Sequence, residues 1–202
     1  MALENDHPPD EEVNSEECRD PTLTDLIKLC ADLNQCGASY LIVGGFAIIQ
    51  AGYDRHTKDI DLLIDVSREN EARVVRALQN LPERAIDEME AGDTDTLGVV
   101  RVADEIMVDL MKSGCGVTYA DAIKDAVWRE LDGVRIPFAS KPTLWKMKQT
   151  VREKDIPDRL FLRQQLEAEG IPLDPPPKDI PRDVELPRWL EWLERRFGKP
   201  RR

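Results

Sequence analysis

Two aspartates at alternate positions of an apolar segment have the residue type and the spacing of a site for a divalent cation. Asp59 and Asp61 begin the segment Asp-Ile-Asp-Leu-Leu-Ile-Asp, which is typical of a β-strand. Side chains alternate between the two faces of a strand, so both carboxylates point to the same side. Carboxylates this close repel each other, and a divalent cation is the simplest compensation. Hard oxygen ligands favour magnesium or manganese over zinc.

A third aspartate, Asp109, interrupts the apolar segment Ile106–Met111. A carboxylate that is buried without a partner is strongly destabilising. We therefore expect this segment to be a strand beside that of Asp59 and Asp61, so that Asp109 reaches the same cation. Three carboxylates can hold two metal ions, the arrangement used for in-line phosphoryl displacement.

A glycine pair, Gly44-Gly45, follows the apolar segment Tyr40–Val43. At a strand-to-helix turn, such a pair allows backbone N–H groups to approach an anion closely. The helix that follows directs its positive end to the same point. The predicted ligand is a nucleoside triphosphate chelated by magnesium. Four further side chains are candidates for phosphate contacts: Arg55, Thr57, Lys58 and Lys148. Lys148, Arg152 and Lys154 fit a triphosphate or RNA groove and the solvated face of a helix pair equally well.

These motifs together resemble the DNA polymerase beta-type nucleotidyltransferase superfamily. In that superfamily a hydrophobic residue and a glycine pair precede an Asp-x-Asp; here Val43-Gly44-Gly45 is followed after thirteen residues by Asp59-Ile60-Asp61-Leu62. Gly44-Gly45-Phe46-Ala47 and Gly52-x-x-Arg55-x-Thr57-x-Asp59 resemble its small bacterial branch, which includes minimal nucleotidyltransferases and AbiEii-type toxins. The stretch Arg152-x-Lys154-Asp155-x-x-Asp158 resembles a later motif of the same branch. The resemblance covers residues 22–166.

The resemblance implies a role for each part of the site. Asp59 and Asp61 would hold the metal ions, Asp109 would join one metal and deprotonate the attacking hydroxyl, and Gly44 and Gly45 would cradle the triphosphate. The implied activity transfers a nucleoside monophosphate from an NTP to an acceptor hydroxyl on an RNA end, a protein or a small molecule. Two alternatives stay open. One is a catalytically silent module that binds nucleotide or a partner, and the other is a toxin restrained by an antitoxin.

Composition limits the possible partners and compartment. The net charge of -12 argues against a surface that binds nucleic acid throughout. A local basic region remains, since eight Lys and Arg face three acids between Arg135 and Arg163. No apolar run approaches the roughly 20 residues that a membrane span needs. The four cysteines lack metal-ligand spacing, which is typical of reduced thiols in a cytoplasmic protein.

Hydrophobic periodicity predicts an α/β (α+β) protein of the nucleotidyltransferase fold, with a mixed sheet flanked by helices and a helical C-terminal part. Asp20 and Pro21 are the predicted cap and first residue of an initial helix that Gly37 ends. Residues 85–96 are expected to be turn-like. The other predicted helices are 46–50, one capped by Ser67, 118–127, 144–151 and 156–169, and the predicted strands are 40–43, 59–65, 97–102, 106–111 and 134–139.

Charge and proline content divide the chain into four predicted parts. Residues 1–19 form an acidic tail that we expect to be disordered. Residues 20–140 form the nucleotidyltransferase-fold domain, and residues 141–169 form a helical C-terminal subdomain. Residues 170–202 combine a proline-rich linker with a terminal helix around 186–197 that carries two tryptophans. That helix is expected to dock on the body of the protein or to bind a protein partner.

Overall fold

A six-stranded mixed sheet forms the centre of the computed structural model, which describes residues 18–175. The strand order is β3-β4-β2-β1-β8-β7, and a separate two-stranded hairpin is formed by β5 and β6. In chain order the strands are β1 (Tyr40–Ile42), β2 (Asp59–Ile64), β3 (Val99–Ala103), β4 (Met107–Met111), β5 (Ser113–Gly114), β6 (Val117–Thr118), β7 (Val127–Leu131) and β8 (Val134–Phe138).

Helices pack against this sheet and extend beyond its last strand. The described residues form α1 (Leu23–Gln35), α2 (Gly44–Gln50), α3 (Arg68–Leu78), α4 (Asp93–Leu97), α5 (Tyr119–Ala122), α6 (Lys141–Met147) and α7 (Ile156–Ala168). Three short 3-10 helices cover Ala85–Glu88, Ile123–Asp125 and Glu153–Asp155. The predicted mixed α/β class is therefore confirmed. No helix among residues 18–175 is both long and apolar enough to cross a membrane.

The alternation of β2 separates its acids from the core. Ile60 and Leu62 are fully buried, whereas Asp59 and Asp61 on the opposite face are partly exposed. Burying aliphatic side chains of this size stabilises a fold by about 1.5–3 kcal/mol each. A slip of one residue in register would exchange the two sets of side chains, so this burial fixes the direction of both carboxylates.

Strand β4 lies beside β2, as its lone aspartate predicts. The two strands are parallel, and Asp61 lies opposite Asp109. On its other edge β2 is antiparallel to β1, which leads directly into the glycine pair. The central strands therefore bring the Asp-x-Asp, the third aspartate and the glycine pair to one region of the sheet.

The first helix begins later than the sequence predicts. Thr22, and not Asp20, is its N-cap, and Thr22 and Asp25 form a reciprocal capping box. Asp20 instead lies 3.2 Å from His56 Nε2. The prediction failed because Pro21 is also compatible with a position just before the cap, and the reciprocal Thr22–Asp25 bonds decide the boundary.

The segment 118–127 is not one helix, and a strand of the sheet follows it. Only Tyr119–Ala122 is α-helical, and Val127–Leu131 pairs with β8 as the edge strand β7. The two strands are joined through Asp132 and Gly133, which have φ values of 48° and 78°. The left-handed conformation of both residues is that of a tight hairpin turn. The three central residues of β7 are all exposed, so the segment lacks the alternation of buried and exposed residues from which a strand is predicted.

Other boundaries also shifted from the predicted ones. The glycine pair lies inside α2, and α6 ends at Met147 instead of continuing to residue 151. Residues 85–96, expected to be turn-like, include a 3-10 helix and most of α4. The fully buried carboxylate of Glu71 accepts backbone hydrogen bonds from Gly92 and Thr94 and so organises this segment. Residues 1–17 and 176–202, with the predicted terminal helix, lie outside the described residues.

Candidate metal centre and cleft

Three carboxylates converge at the centre of the sheet. One oxygen each from Asp59, Asp61 and Asp109 lies within 4.8 Å of the others. Asp109 is buried, while Asp59 and Asp61 are partly exposed. This group of oxygen ligands could hold a metal ion.

The backbone of the glycine pair lies directly on Asp61. Gly44 has a φ of +56°, and a Cβ at this position would lie 1.8 Å from Asp61 Oδ2. The neighbouring Val43 N–H donates a 3.0 Å hydrogen bond to the backbone oxygen of Asp61. Glycine is therefore required at position 44 for two reasons, the left-handed backbone and the close approach of the carboxylate.

Gly45 makes the corresponding close approach to Thr57. A Cβ on Gly45 would lie 2.1 Å from Thr57 Oγ1. This buried hydroxyl donates to Asp59, with distances of 3.1 Å to Oδ1 and 3.2 Å to the backbone oxygen. The structure thus puts Thr57 behind Asp59 as a residue that orients the carboxylate.

The acid group, formed by Asp59, Asp61 and Asp109, carries more negative charge than the neighbouring positive groups balance. Burial, together with the negative charges of Asp59 and Asp109, raises the pKa of Asp61 to about 7. Lys148 and the backbone N–H of Gly45 act in the opposite direction and lower this pKa. A bound cation would stabilise the charged form of Asp61.

Arg101 is a partner of the group that the sequence analysis did not identify. It lies opposite Asp109 on the neighbouring strand β3. Its guanidinium donates two hydrogen bonds of 2.8 Å, from Nε to Oδ1 and from Nη2 to Oδ2 of Asp109. These bonds raise the pKa of Arg101 and balance one of the three negative charges. The sequence feature that could have identified Arg101 is that it is a single cationic residue within the apolar strand Val99–Ala103.

A second ion-pair network contributes to the same cleft as the acids. Arg55 Nη1 is 2.6 Å from Asp158 Oδ2, and Lys148 Nζ lies 2.8 Å from Asp155 Oδ1 and 3.0 Å from Asp158 Oδ2. Both carboxylates are buried. Burial alone would lower the pKa of Lys148, but the two carboxylates outweigh it and raise this pKa. The network joins the segment before β2 to the start of α7.

A cleft of about 620 Å³ is lined by members of both the acid group and this network. Gly44, Gly45, Asp59, Asp61, Arg55 and Lys148 all line it, so these six predicted site residues meet at one cavity. The other three predicted site residues do not line the cleft: Asp109 and Thr57 are buried, and Lys58 is exposed. The remaining lining residues include an apolar set that sequence reasoning missed, formed by Val99, Met111, Leu144, Met147 and Val151.

The chain was compared with known protein families and with curated proteins. No family model matches it, and no curated protein matches it.

Proposed function

We propose that this chain is a metal-dependent nucleotidyltransferase that moves a nucleoside monophosphate from an NTP to an acceptor hydroxyl. The observation that carries the proposal is the convergence of three carboxylates, with oxygens within 4.8 Å of one another, beside a glycine pair. This group faces a cleft of about 620 Å³, which is in the size range of small-molecule sites. Such a combination suits a substrate that brings phosphate groups and a divalent cation together.

The donor set suits magnesium or manganese. It contains only carboxylate oxygens, the ligands that these hard cations prefer. Asp59 and Asp61 would hold the metal from the cleft side, and Asp109 would complete the site from behind. The pairing of Asp109 with Arg101 leaves room for this, because each carboxylate oxygen has two acceptor positions. When bound, the metal neutralises charge on the phosphates and aligns them for in-line displacement.

The residues of the chain have separate tasks in this reaction. Gly44 and Gly45 expose backbone to the triphosphate, and Thr57 holds Asp59 in position through its hydroxyl. The acceptor oxygen forms a bond to the α-phosphorus, and the bond from that phosphorus to the oxygen of the β-phosphate breaks. Pyrophosphate leaves with the electron pair of this bond. The proton of the acceptor hydroxyl passes to one of the three carboxylates.

The test is label transfer from each α-labelled NTP, with magnesium or manganese, into a lysate separated into RNA, protein and small molecules. The control is the Asp59→Asn/Asp61→Asn double variant, which retains side-chain size and removes both charges. Label in one fraction with wild type, and none with the variant, would support the proposal and identify the acceptor class. Label in no fraction, with wild type shown to be folded by circular dichroism, would count against catalysis.

A second candidate is a catalytically silent module that binds nucleotide. The bidentate Arg101–Asp109 pair favours it, because Arg101 already neutralises the carboxylate that would complete the metal site. The two candidate functions predict different fates for the bound nucleotide. The silent module binds magnesium–NTP in equilibrium dialysis and releases it unchanged, whereas the enzyme releases pyrophosphate when an acceptor is present.

A further inference from the structure

Four cationic side chains line the described cleft, and they fall into two pairs with different surroundings. Arg55 and Lys148 are partly buried, whereas Arg152 and Lys154 are exposed. All four have a charge that could bind a phosphate. Their ion-pair partners within the protein decide which of them are free to do so.

Arg55 and Lys148 are committed to buried carboxylates. Asp158 is 1% exposed and Asp155 is 4% exposed, and these two acids accept the ion pairs of both cations. Removing the positive partner of a buried carboxylate leaves an uncompensated charge, which is strongly destabilising. A phosphate that took over either cation would therefore act against the packing of α7. We assign Arg55 and Lys148 to positioning this wall of the cleft.

Arg152 and Lys154 combine a fixed backbone with side chains that take part in no short ion pair, although the charge of Arg152 is near enough to Asp155 to help lower the pKa of that carboxyl. Neither side chain forms an ion pair or a hydrogen bond with another residue in the range 18–175. The backbone is held on both sides of Arg152, because its N–H donates to Thr150 Oγ1 at 3.2 Å and its carbonyl accepts from Asp155 N–H at 3.1 Å.

The wall behind these two residues is also fixed. Arg159 Nη1 donates to the backbone oxygens of Lys148 at 3.0 Å and Thr150 at 2.7 Å. Lys154 lies in the short 3-10 helix Glu153–Asp155, whose last residue accepts the ion pair from Lys148. The protein thus presents two exposed cations, neither in a short ion pair, from an anchored segment. Because this backbone is already fixed, anion binding by these two side chains would cost little backbone conformational entropy.

Asp59 and Asp61 line the same cleft as Arg152 and Lys154. A ligand that contacts both the acids and these two cations must offer a cation to Asp59 and Asp61 and negative charge to Arg152 and Lys154. We propose that Arg152 and Lys154 bind the phosphate tail of a magnesium–polyphosphate ligand, while Arg55 and Lys148 position the wall that presents them. The inference rests on the proposed function for the identity of that ligand as a nucleoside triphosphate.

Inorganic tripolyphosphate with magnesium is the probe, because it tests the anion site without a base, an acceptor or catalysis. Calorimetric titration of the full chain should give a Kd that rises about tenfold for Arg152→Gln and about tenfold for Lys154→Gln, as expected for loss of one hydrogen bond to a charged group. Arg76→Gln and Lys28→Gln remove one exposed charge each outside the cleft. These two controls should bind the probe as wild type does.

Arg55→Gln separates positioning from binding. It should lower the Tm more than Arg152→Gln or Lys154→Gln, because it removes a partner of buried Asp158. Wild-type affinity for the probe in both Arg152→Gln and Lys154→Gln, or no binding by wild type, would overturn the inference. Probe binding with the expected pattern but without any nucleotidyl transfer would support the inference and refute the proposed function.

Discussion

Substitution of Gly44 by alanine probes the contact between the glycine pair and the acid group. The new Cβ would lie 1.8 Å from Asp61 Oδ2, 2.4 Å from its Cγ and 2.9 Å from its own Cβ. The position also has a φ of +56°, where an L-residue is strained. Gly44→Ala therefore combines a backbone penalty with displacement of a proposed metal ligand.

The two effects have different magnitudes and different readouts. The left-handed conformation costs alanine about 1–2 kcal/mol, which should appear as a lower free energy of unfolding in urea. Relief of the contact requires the Asp61 carboxylate to move by about 1 Å, and a misplacement of this size typically lowers a rate about 100-fold. We expect Mn²⁺ affinity, measured by electron paramagnetic resonance, and nucleotidyl transfer to fall together.

Gly37 provides a matched control for the backbone penalty. It has a φ of +67°, and a Cβ there would meet nothing within 4 Å. Gly37→Ala should therefore lose about 1–2 kcal/mol of stability and keep wild-type Mn²⁺ affinity. Equal Mn²⁺ affinity in wild type and folded Gly44→Ala would refute the reasoning, because the contact with Asp61 would then have no consequence for metal binding.

Three further predictions concern charges around the sheet. Arg101→Gln should lower the stability of the metal-free protein, measured by thermal denaturation in EDTA, by about 2 kcal/mol, because Asp109 loses two hydrogen bonds. Added magnesium should restore part of this stability, since a bound metal can replace the lost positive charge near Asp109. Asp158→Asn should cost about 3 kcal/mol in urea unfolding, because it removes the buried partner of Arg55 and one of the two buried partners of Lys148. A loss under about 1 kcal/mol would contradict the ion-pair geometry. The hydrogen bonds from Arg19 hold the pKa of Asp25 below its usual value, so their stabilisation is complete above about pH 4 and is lost as the pH falls further. Asp25→Asn should accordingly flatten the acid limb of the stability curve, and an unchanged limb would exclude this pair as its source.

The acid group could be predicted from the sequence because its signal is local and chemically costly. The spacing of Asp59 and Asp61 fixes them on one face of a strand, and an aspartate inside an apolar strand needs a partner. The structure confirms that β4 lies beside β2 and that Asp61 and Asp109 are opposite each other. The mixed α/β class follows from the same periodicity.

Ion-pair partners that depend on strand register or on the packing of helices could not be predicted in this way. The strands 97–102 and 106–111 were predicted, but the contact of Arg101 with Asp109 depends on their exact register, which the hydrophobic pattern alone does not specify. Asp158 similarly reaches Arg55 through the docking of α7. The edge strand β7 lacked a hydrophobic face, so its periodicity carried no information. These features depend on tertiary packing, which overrides local preference.

Parallel reactions with α-labelled and γ-labelled NTP test the proposed chemistry most directly. Nucleotidyl transfer predicts that wild type moves the α-label to the acceptor and releases the γ-label as pyrophosphate. The Asp59→Asn/Asp61→Asn variant should move neither label, while remaining folded. Transfer of the γ-label to an acceptor, or equal α-label transfer by wild type and variant, would contradict the account, because the reaction would then not be nucleotidyl transfer at this acid group.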